Sequence, residues 1–218
     1  EQIKVRHVIK LVNEFLERHP DFPLVADTGD ALFASVDIRS NECIAPAYYA
    51  TMGFAVPAAL GAQIASGRRP IVLVGDGAFQ MTGSEISHAR KYGCNPIIVV
   101  LNNSRWEMLQ AFFPEARYNE TVGWPFSKLA DLWGGRGFRA NTPRQFRDAL
   151  DEALGAEKRF SRLEVGLQPV DIPRFDSITN TFSVAQGSYG GRPAFPRYYL
   201  HGSLTYVYRD ESAVGKRF

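Results

Sequence analysis

The sequence is poor in metal- and disulfide-forming residues: two cysteines, Cys43 and Cys94, and four histidines, His7, His19, His88 and His201. The cysteines form no CxxC pair and the histidines are scattered. A zinc site or disulfide framework is therefore not expected, and a reducing, cytoplasmic setting fits. No apolar run approaches the ~20 residues of a membrane-spanning helix, so no membrane partner is expected. The opening stretch, EQIKVRHVIK, lacks the apolar segment of a signal peptide, and a start at Glu1 rather than Met is expected of a chain cut from something longer. A basic surplus is also missing. Residues 1–171 carry 19 Lys+Arg against 20 Asp+Glu, a net of −1. Bulk electrostatics thus give no reason to expect nucleic acid as a partner. There is no internal repeat, no heptad series, and no GxGxxG after an apolar run, which weakens a dinucleotide-binding reading.

What is present reads as globular. Hydrophobic residues make up 45% and charged residues 22%, a composition able to bury a core rather than stay disordered. Val8, Leu11, Val12, Phe15 and Leu16 recur at helical spacing, and Pro20 ends that pattern. Leu24-Val25-Ala26 reads as a short strand running into Asp27-Thr28-Gly29-Asp30. GFAVPAALGAQIASG, 53–67, reads as a closely packed helix with Pro57 in an early turn and Gly67 at its end. PIVLVGDG and PIIVVLNN are continuous apolar runs of buried-strand type. SEISHARKYG, 84–93, suits a helix stopped by Gly93. TPRQFRDALDEALGA, 142–156, is an amphipathic helix with Thr142 placed as its cap and Pro143 at its first position. RLEVGL, 162–167, closes the series as a strand. Strands alternating with helices, each strand apolar throughout, predict an α/β fold: a doubly wound parallel sheet with helices on both faces. Beyond residue 171 the periodicity stops. Residues 172–218 form an irregular tail carrying 6 Lys+Arg against 3 Asp+Glu, with YYLHGSLTYVY as its one edge-strand or hairpin candidate.

Ligands in such sheets sit at the carboxyl ends of the strands. GDG (75–77) and NN (102–103) both fall there. Glycines flanking Asp76 leave backbone N–H groups open to an approaching phosphate, because no Cβ blocks them. The helix that follows adds the positive end of its dipole. Asp and Asn oxygens are hard ligands suited to Mg²⁺, which keeps one or two such ligands plus phosphate oxygens and water. The pair predicts a magnesium–diphosphate site spread over two strand ends, against the plainer reading of GDG as a tight turn and NN as a strand-end cap.

With 24 residues between them, GDG and NN resemble the cofactor signature of thiamine diphosphate-dependent enzymes. GDGAFQMTGSEISHARKYG, PIIVVLNN, Tyr118-Asn119, ADTGDALF and YYATMGFAVPAALGAQ narrow the resemblance to the carboxyl-terminal, diphosphate-binding domain of the 2-oxoacid decarboxylases. Within that group the chain is most similar to bacterial phenylpyruvate and indolepyruvate decarboxylases. The resemblance spans about residues 5–168. It implies that Asp76 and the Asn103 side chain bind Mg²⁺, with the Arg105 carbonyl as third protein ligand. It implies that Gly75 and the amides of Gly77 and Ala78 meet the diphosphate, where Ala78 replaces a common Ser. Thr28 and Asp30 would lie against the same group. Met52 matches the bulky residue that props the cofactor into a bent shape, and the Ala50 carbonyl matches the acceptor for its aminopyrimidine. Leu109, six positions after Asn103, stands where pyruvate-specific relatives carry a catalytic Glu. Leu cannot transfer protons. With Trp106, Met108 and Phe112 nearby, it points to an aromatic 2-oxoacid substrate; for Phe112, helix packing is the plainer reading.

In that family a separate domain holds the pyrimidine ring and supplies the activating Glu. No such domain is located in this sequence. The expectation is therefore a component of a non-oxidative decarboxylase, working as a homo- or hetero-oligomer with a pyrimidine-binding domain or subunit. The alternatives are an acetolactate-synthase-like ligase component, and a non-catalytic cofactor-binding module or fragment.

Overall fold

The structure is a computed structural model that describes residues 1–46, 49–113, 115–156 and 159–167. The tail at 172–218, its suggested hairpin, the boundary at 171 and the side chain of Phe112 lie outside what is described.

Six strands among the described residues form one sheet: β1 (Leu24–Ala26), β2 (Cys43–Ile44), β3 (Ile71–Gly75), β4 (Ile97–Asn102), β5 (Arg136–Ala140) and β6 (Ser161–Gly166). Their order is β2-β1-β3-β4-β6-β5, and every pairing is parallel. The apolar runs are buried on both faces because the strand period is two residues. Ile71 and Leu73 join Ile97, Val99 and Leu101 in one core, while Val72, Val74, Ile98 and Val100 join the other.

Helices α1 (Val5–Arg18), α2 (Asp30–Val36) and α8 (Pro143–Gly155) cover the first face. In α1 the five positions marked by spacing, Val8, Leu11, Val12, Phe15 and Leu16, are all buried. In α8 the Thr142 hydroxyl accepts the Gln145 N–H at 3.3 Å, with Pro143 at the helix start. The far end of α8 is tied by Arg69, whose guanidinium donates to the carbonyls of Ala153, Leu154 and Asn95. Helices α3 (Ala55–Ser66), α4 (Asp76–Thr82), α5 (Ala89–Tyr92) and α7 (Phe126–Leu132) cover the opposite face. A further helix, α6 (Glu107–Phe112), follows β4.

The segment read as one helix over 84–93 divides. Gly83–His88 is a 3₁₀ turn and only Ala89–Tyr92 is α-helical. Gly83, Ile86 and Ala89 are the buried residues, a spacing of three that suits the three-per-turn 3₁₀ geometry. The edge strand β5 and its preceding helix α7 lie in RGFRA and FSKLADL, which carry too little apolar pattern to be read as elements.

Arg162 is fully buried on β6. Its guanidinium stacks between Phe79 and Trp133, at 4.9 and 5.5 Å from the ring centroids, with no hydrogen-bond partner. Burial pushes its pKa down to about 10.

The chain leaves β1 through α2 toward β2 on one side. It leaves β3 through α4 toward β4 on the other, on the opposite face of the sheet. The strand order thus reverses between β1 and β3, and the crevice this opens at their carboxyl ends is where such sheets take ligands.

Candidate functional site

A cleft of about 180 Å³ lies at that switch point. Four loops build it. The turn after β1 contributes Thr28, Gly29 and Asp30, and the segment after β2 contributes Ala50 and Met52. The turn from β3 into α4 contributes Gly75, Asp76, Gly77 and Ala78, and the β4–α6 connection contributes Asn103 and Arg105, with Leu109 following in the first turn of α6. The residues assigned to the cofactor and metal by resemblance thus line one cleft, while Asn102 of the asparagine pair is not in its lining. Trp106, Glu107 and Met108 line it too.

Asp76 opens α4 directly after β3 and is almost fully buried. Its Oδ2 accepts the Thr121 hydroxyl at 2.6 Å, and backbone groups of Gly77 and Ser104 also bond to the carboxylate. Burial outweighs these bonds and pushes its pKa up to about 6. The two asparagines divide their work. Asn102, the last residue of β4, donates to Glu164 Oε1 at 3.2 Å and accepts from the Ser104 amide, so it ties the strand end to β6. Asn103 lies one residue further, buried in the cleft, and its Oδ1 accepts the Arg105 N–H at 3.1 Å.

Asp30 heads α2, and its Oδ1 is buried with no hydrogen-bond partner. Burial, then the nearby carboxylates of Glu107 and Asp76, push its pKa up to about 7. Glu107 Oε2 and Trp106 Nε1 are likewise buried without partners. Burial raises the Glu107 pKa, with Asp76 adding to the rise and Arg105 opposing it. Among the described residues no three His, Cys, Asp or Glu side chains group as metal ligands. The available set is instead one carboxylate, one amide oxygen and one backbone carbonyl, which suits a hard cation completed by ligand oxygens and water. Unpartnered acceptor oxygens beside it favour a cation, and an unpartnered donor beside the glycine turn favours an anion.

Two backbone outliers stand in these loops. Ala50 and Ser104 have φ of 48° and 59°, a region non-glycine residues enter at a cost of about 1–3 kcal/mol. Beneath them lies a residue that sequence reading passed over. Asp27, fully buried, accepts from the amides of Thr28 at 2.9 Å, Gly53 at 3.0 Å and Ala55 at 2.7 Å. It clamps the loop bearing Ala50 and Met52 to the β1 turn. Its place in ADTGD was the available signal. Thr121, by contrast, carries no signal in sequence; only the fold brings it to Asp76. Gly77 also has a second reason to be glycine, since a Cβ there would overlap the Trp106 indole.

The sequence matches the family described as thiamine pyrophosphate enzyme, C-terminal TPP binding domain, over residues 25–165. It is 44% identical over 142 residues to an indole-3-pyruvate decarboxylase of Azospirillum brasilense, covering 65% of this chain and 26% of that protein. It is 34% identical over 163 residues to an alpha-keto-acid decarboxylase of Mycolicibacterium paratuberculosis, covering 71% of this chain and 29% of that protein. Its fold is similar to that of a thiamine diphosphate-dependent 4-hydroxybenzoylformate decarboxylase of Rhodococcus jostii RHA1, with TM-score 0.68 and 26% identity over 77% of this chain and 33% of that one. A parallel sheet with its cleft at the switch point is a cofactor-binding domain of the α/β class. The chain belongs to the thiamine pyrophosphate enzymes and carries their C-terminal TPP-binding domain. It spans about a quarter to a third of the relatives it matches.

Proposed function

We propose that this chain is the diphosphate-binding component of a thiamine diphosphate- and Mg²⁺-dependent, non-oxidative decarboxylase of aromatic 2-oxoacids such as phenylpyruvate or indole-3-pyruvate. The observation that carries the reading is the convergence of Asp76, Asn103 and Arg105 with unpartnered polar atoms in one cleft at the switch point. Asp76, the Asn103 side chain and the Arg105 carbonyl would hold Mg²⁺, while the amides of Gly77 and Ala78 would meet the diphosphate from the GDG turn. Thr28 and Asp30 would close the opposite wall, and Ala50 and Met52 would receive the rest of the cofactor. Thiamine diphosphate, when bound, supplies an electron sink for loss of CO₂. This chain's part is to anchor and orient that group and to shape the substrate side with apolar residues. Leu109 and Met108 line the cleft and offer no proton donor there, which supports an aromatic rather than a small substrate.

The span of a quarter to a third of the relatives supports a partner domain or subunit that supplies the pyrimidine site and its Glu, in a homo- or hetero-oligomer. Two cysteines, both free, are compatible with a cytoplasmic setting, and among the described residues no helix is long and apolar enough to cross a membrane.

The test is calorimetric titration of the 218-residue chain with thiamine diphosphate, with and without Mg²⁺. Binding is expected to require Mg²⁺, and Asp76→Ala is expected to abolish it. Unchanged affinity in Asp76→Ala would overturn the site assignment.

A further inference from the structure

The Trp106 indole has a position that an aromatic-substrate role does not account for. Its Nε1 is buried with no hydrogen-bond acceptor. An indole N–H can only donate, and buried Trp N–H groups ordinarily find a partner. Nor is the ring lost in the apolar core, because Trp106 lines the cleft. Atoms Nε1 and Cδ1 occupy the space where a side chain on Gly77 would begin. The polar edge of the indole therefore lies on the GDG turn. The backbone fixes it there: the Trp106 N–H donates to the Asn119 carbonyl at 2.7 Å, and the Trp106 carbonyl accepts from Leu109 and Gln110.

Among the described residues nothing accepts from this donor. Asp30 Oδ1 and Glu107 Oε2 belong to residues lining the same cleft, and both are also unpartnered, so the indole does not reach them. Ala78, next along the turn, has no polar side chain. The missing acceptor is one that arrives with a ligand. On the cofactor reading above, an acceptor arriving at the GDG turn is the anionic diphosphate.

We propose that the Trp106 indole N–H donates a hydrogen bond to the diphosphate of the bound cofactor, making Trp106 a side-chain ligand of that group. The assignment rests on the cofactor reading above and adds a donor to it. It also accounts for glycine at position 77, whose missing side chain makes room for the indole beside the turn.

The chain has three tryptophans, Trp106, Trp124 and Trp133, so its indole N–H signals can be followed one by one by ¹H–¹⁵N NMR of the full chain. They are assigned with Trp124→Phe and Trp133→Phe. Mg²⁺ alone is expected to leave the Trp106 indole signal in place. Mg²⁺ with inorganic pyrophosphate, and then with thiamine diphosphate, is expected to move it downfield while Trp124 and Trp133 stay. Trp106→Phe, which keeps a ring against Gly77, is expected to lower pyrophosphate affinity about tenfold, the effect of losing one hydrogen bond to a charged group. If Trp106→Phe does not fold, the spectra of the wild-type chain decide alone. Suppose pyrophosphate binds, Asp76→Ala abolishes that binding, and the Trp106 signal stays fixed. The donor assignment then falls while the site stands. A shift caused by phenylpyruvate and not by pyrophosphate would also overturn it, by moving the donor to the substrate end. No saturable binding of either diphosphate would overturn both readings.

Discussion

At the scale of the residue, the cleft joins two kinds of group. Some were legible because their chemistry is rare in sequence: an Asp between glycines at a strand end, and Asn103 at the next. Others became visible only in three dimensions. Thr121 reaches Asp76 across 45 positions of chain, which no spacing rule anticipates. Asp27 is intermediate, being inside a recognised motif but silent about its role. Its two oxygens receive amides from both sides of the cleft floor, those of Gly53 and Ala55 being buried. Asp27→Ala leaves those donors unpaired, so it is expected to destabilise the chain by roughly 3 kcal/mol in urea unfolding. The group also carries a pH signature. Burial raises the Asp27 pKa above its ordinary value, and its amide bonds only partly oppose that. The folded chain therefore holds this proton more tightly than the unfolded chain. The stabilising contribution is full below the unfolded pKa of ~3.9 and is lost as pH rises through the folded value. Asp27→Asn is expected to flatten that part of the stability–pH curve; an unaltered slope would assign it to other carboxyls.

At the scale of the element, amphipathic helices and doubly buried strands declared themselves. Helix α8 has its apolar stripe, its Thr142 cap and its Pro143 start in the order that helix formation requires. Strand β5 and helix α7 did not, because their stability comes from each other. Gly137 on β5 lies so close to α7 that a Cβ would overlap the backbone carbonyl of Ser127. A backbone atom cannot rotate away as a side chain can. Gly137→Ala is therefore expected to cost about 2–3 kcal/mol by overpacking and to loosen the β5 edge first. Hydrogen exchange should show protection lost at Arg136–Ala140 before β3 or β4. Uniform loss across the sheet would mean that β5 is not a separable edge.

At the scale of the whole molecule, the cleft is placed by topology. The chain turns one way from β1 and the other from β3, and four loops meet where the two directions part. Three carboxyl groups, from Asp30, Asp76 and Glu107, are held in that crevice with only partial compensation. Such a site is completed by what binds it and, on the reading proposed here, by the domain that covers it. In an enzyme assembled with that domain, Leu109→Glu is expected to lower the kcat/KM ratio of phenylpyruvate to pyruvate by roughly tenfold or more, through loss of apolar contact with the ring. An unchanged ratio would place Leu109 outside the substrate pocket.

The sequence by itself determined the class of fold and the chemistry of the strand ends. Apolar runs long enough for buried strands, alternating with amphipathic helices, admit few arrangements other than a covered parallel sheet. Glycine, Asp and Asn at strand ends name hard ligands and open backbone. The resemblance already singled out Asn103 of the two adjacent asparagines, and the tertiary structure added the work of Asn102, which ties the strand end to Glu164 on β6. Only it set the polar edge of the Trp106 indole against the GDG turn, because the indole fills the space that Gly77 leaves. Both are contacts between distant or differently directed groups, and such contacts exist only once the sheet has brought its loops together.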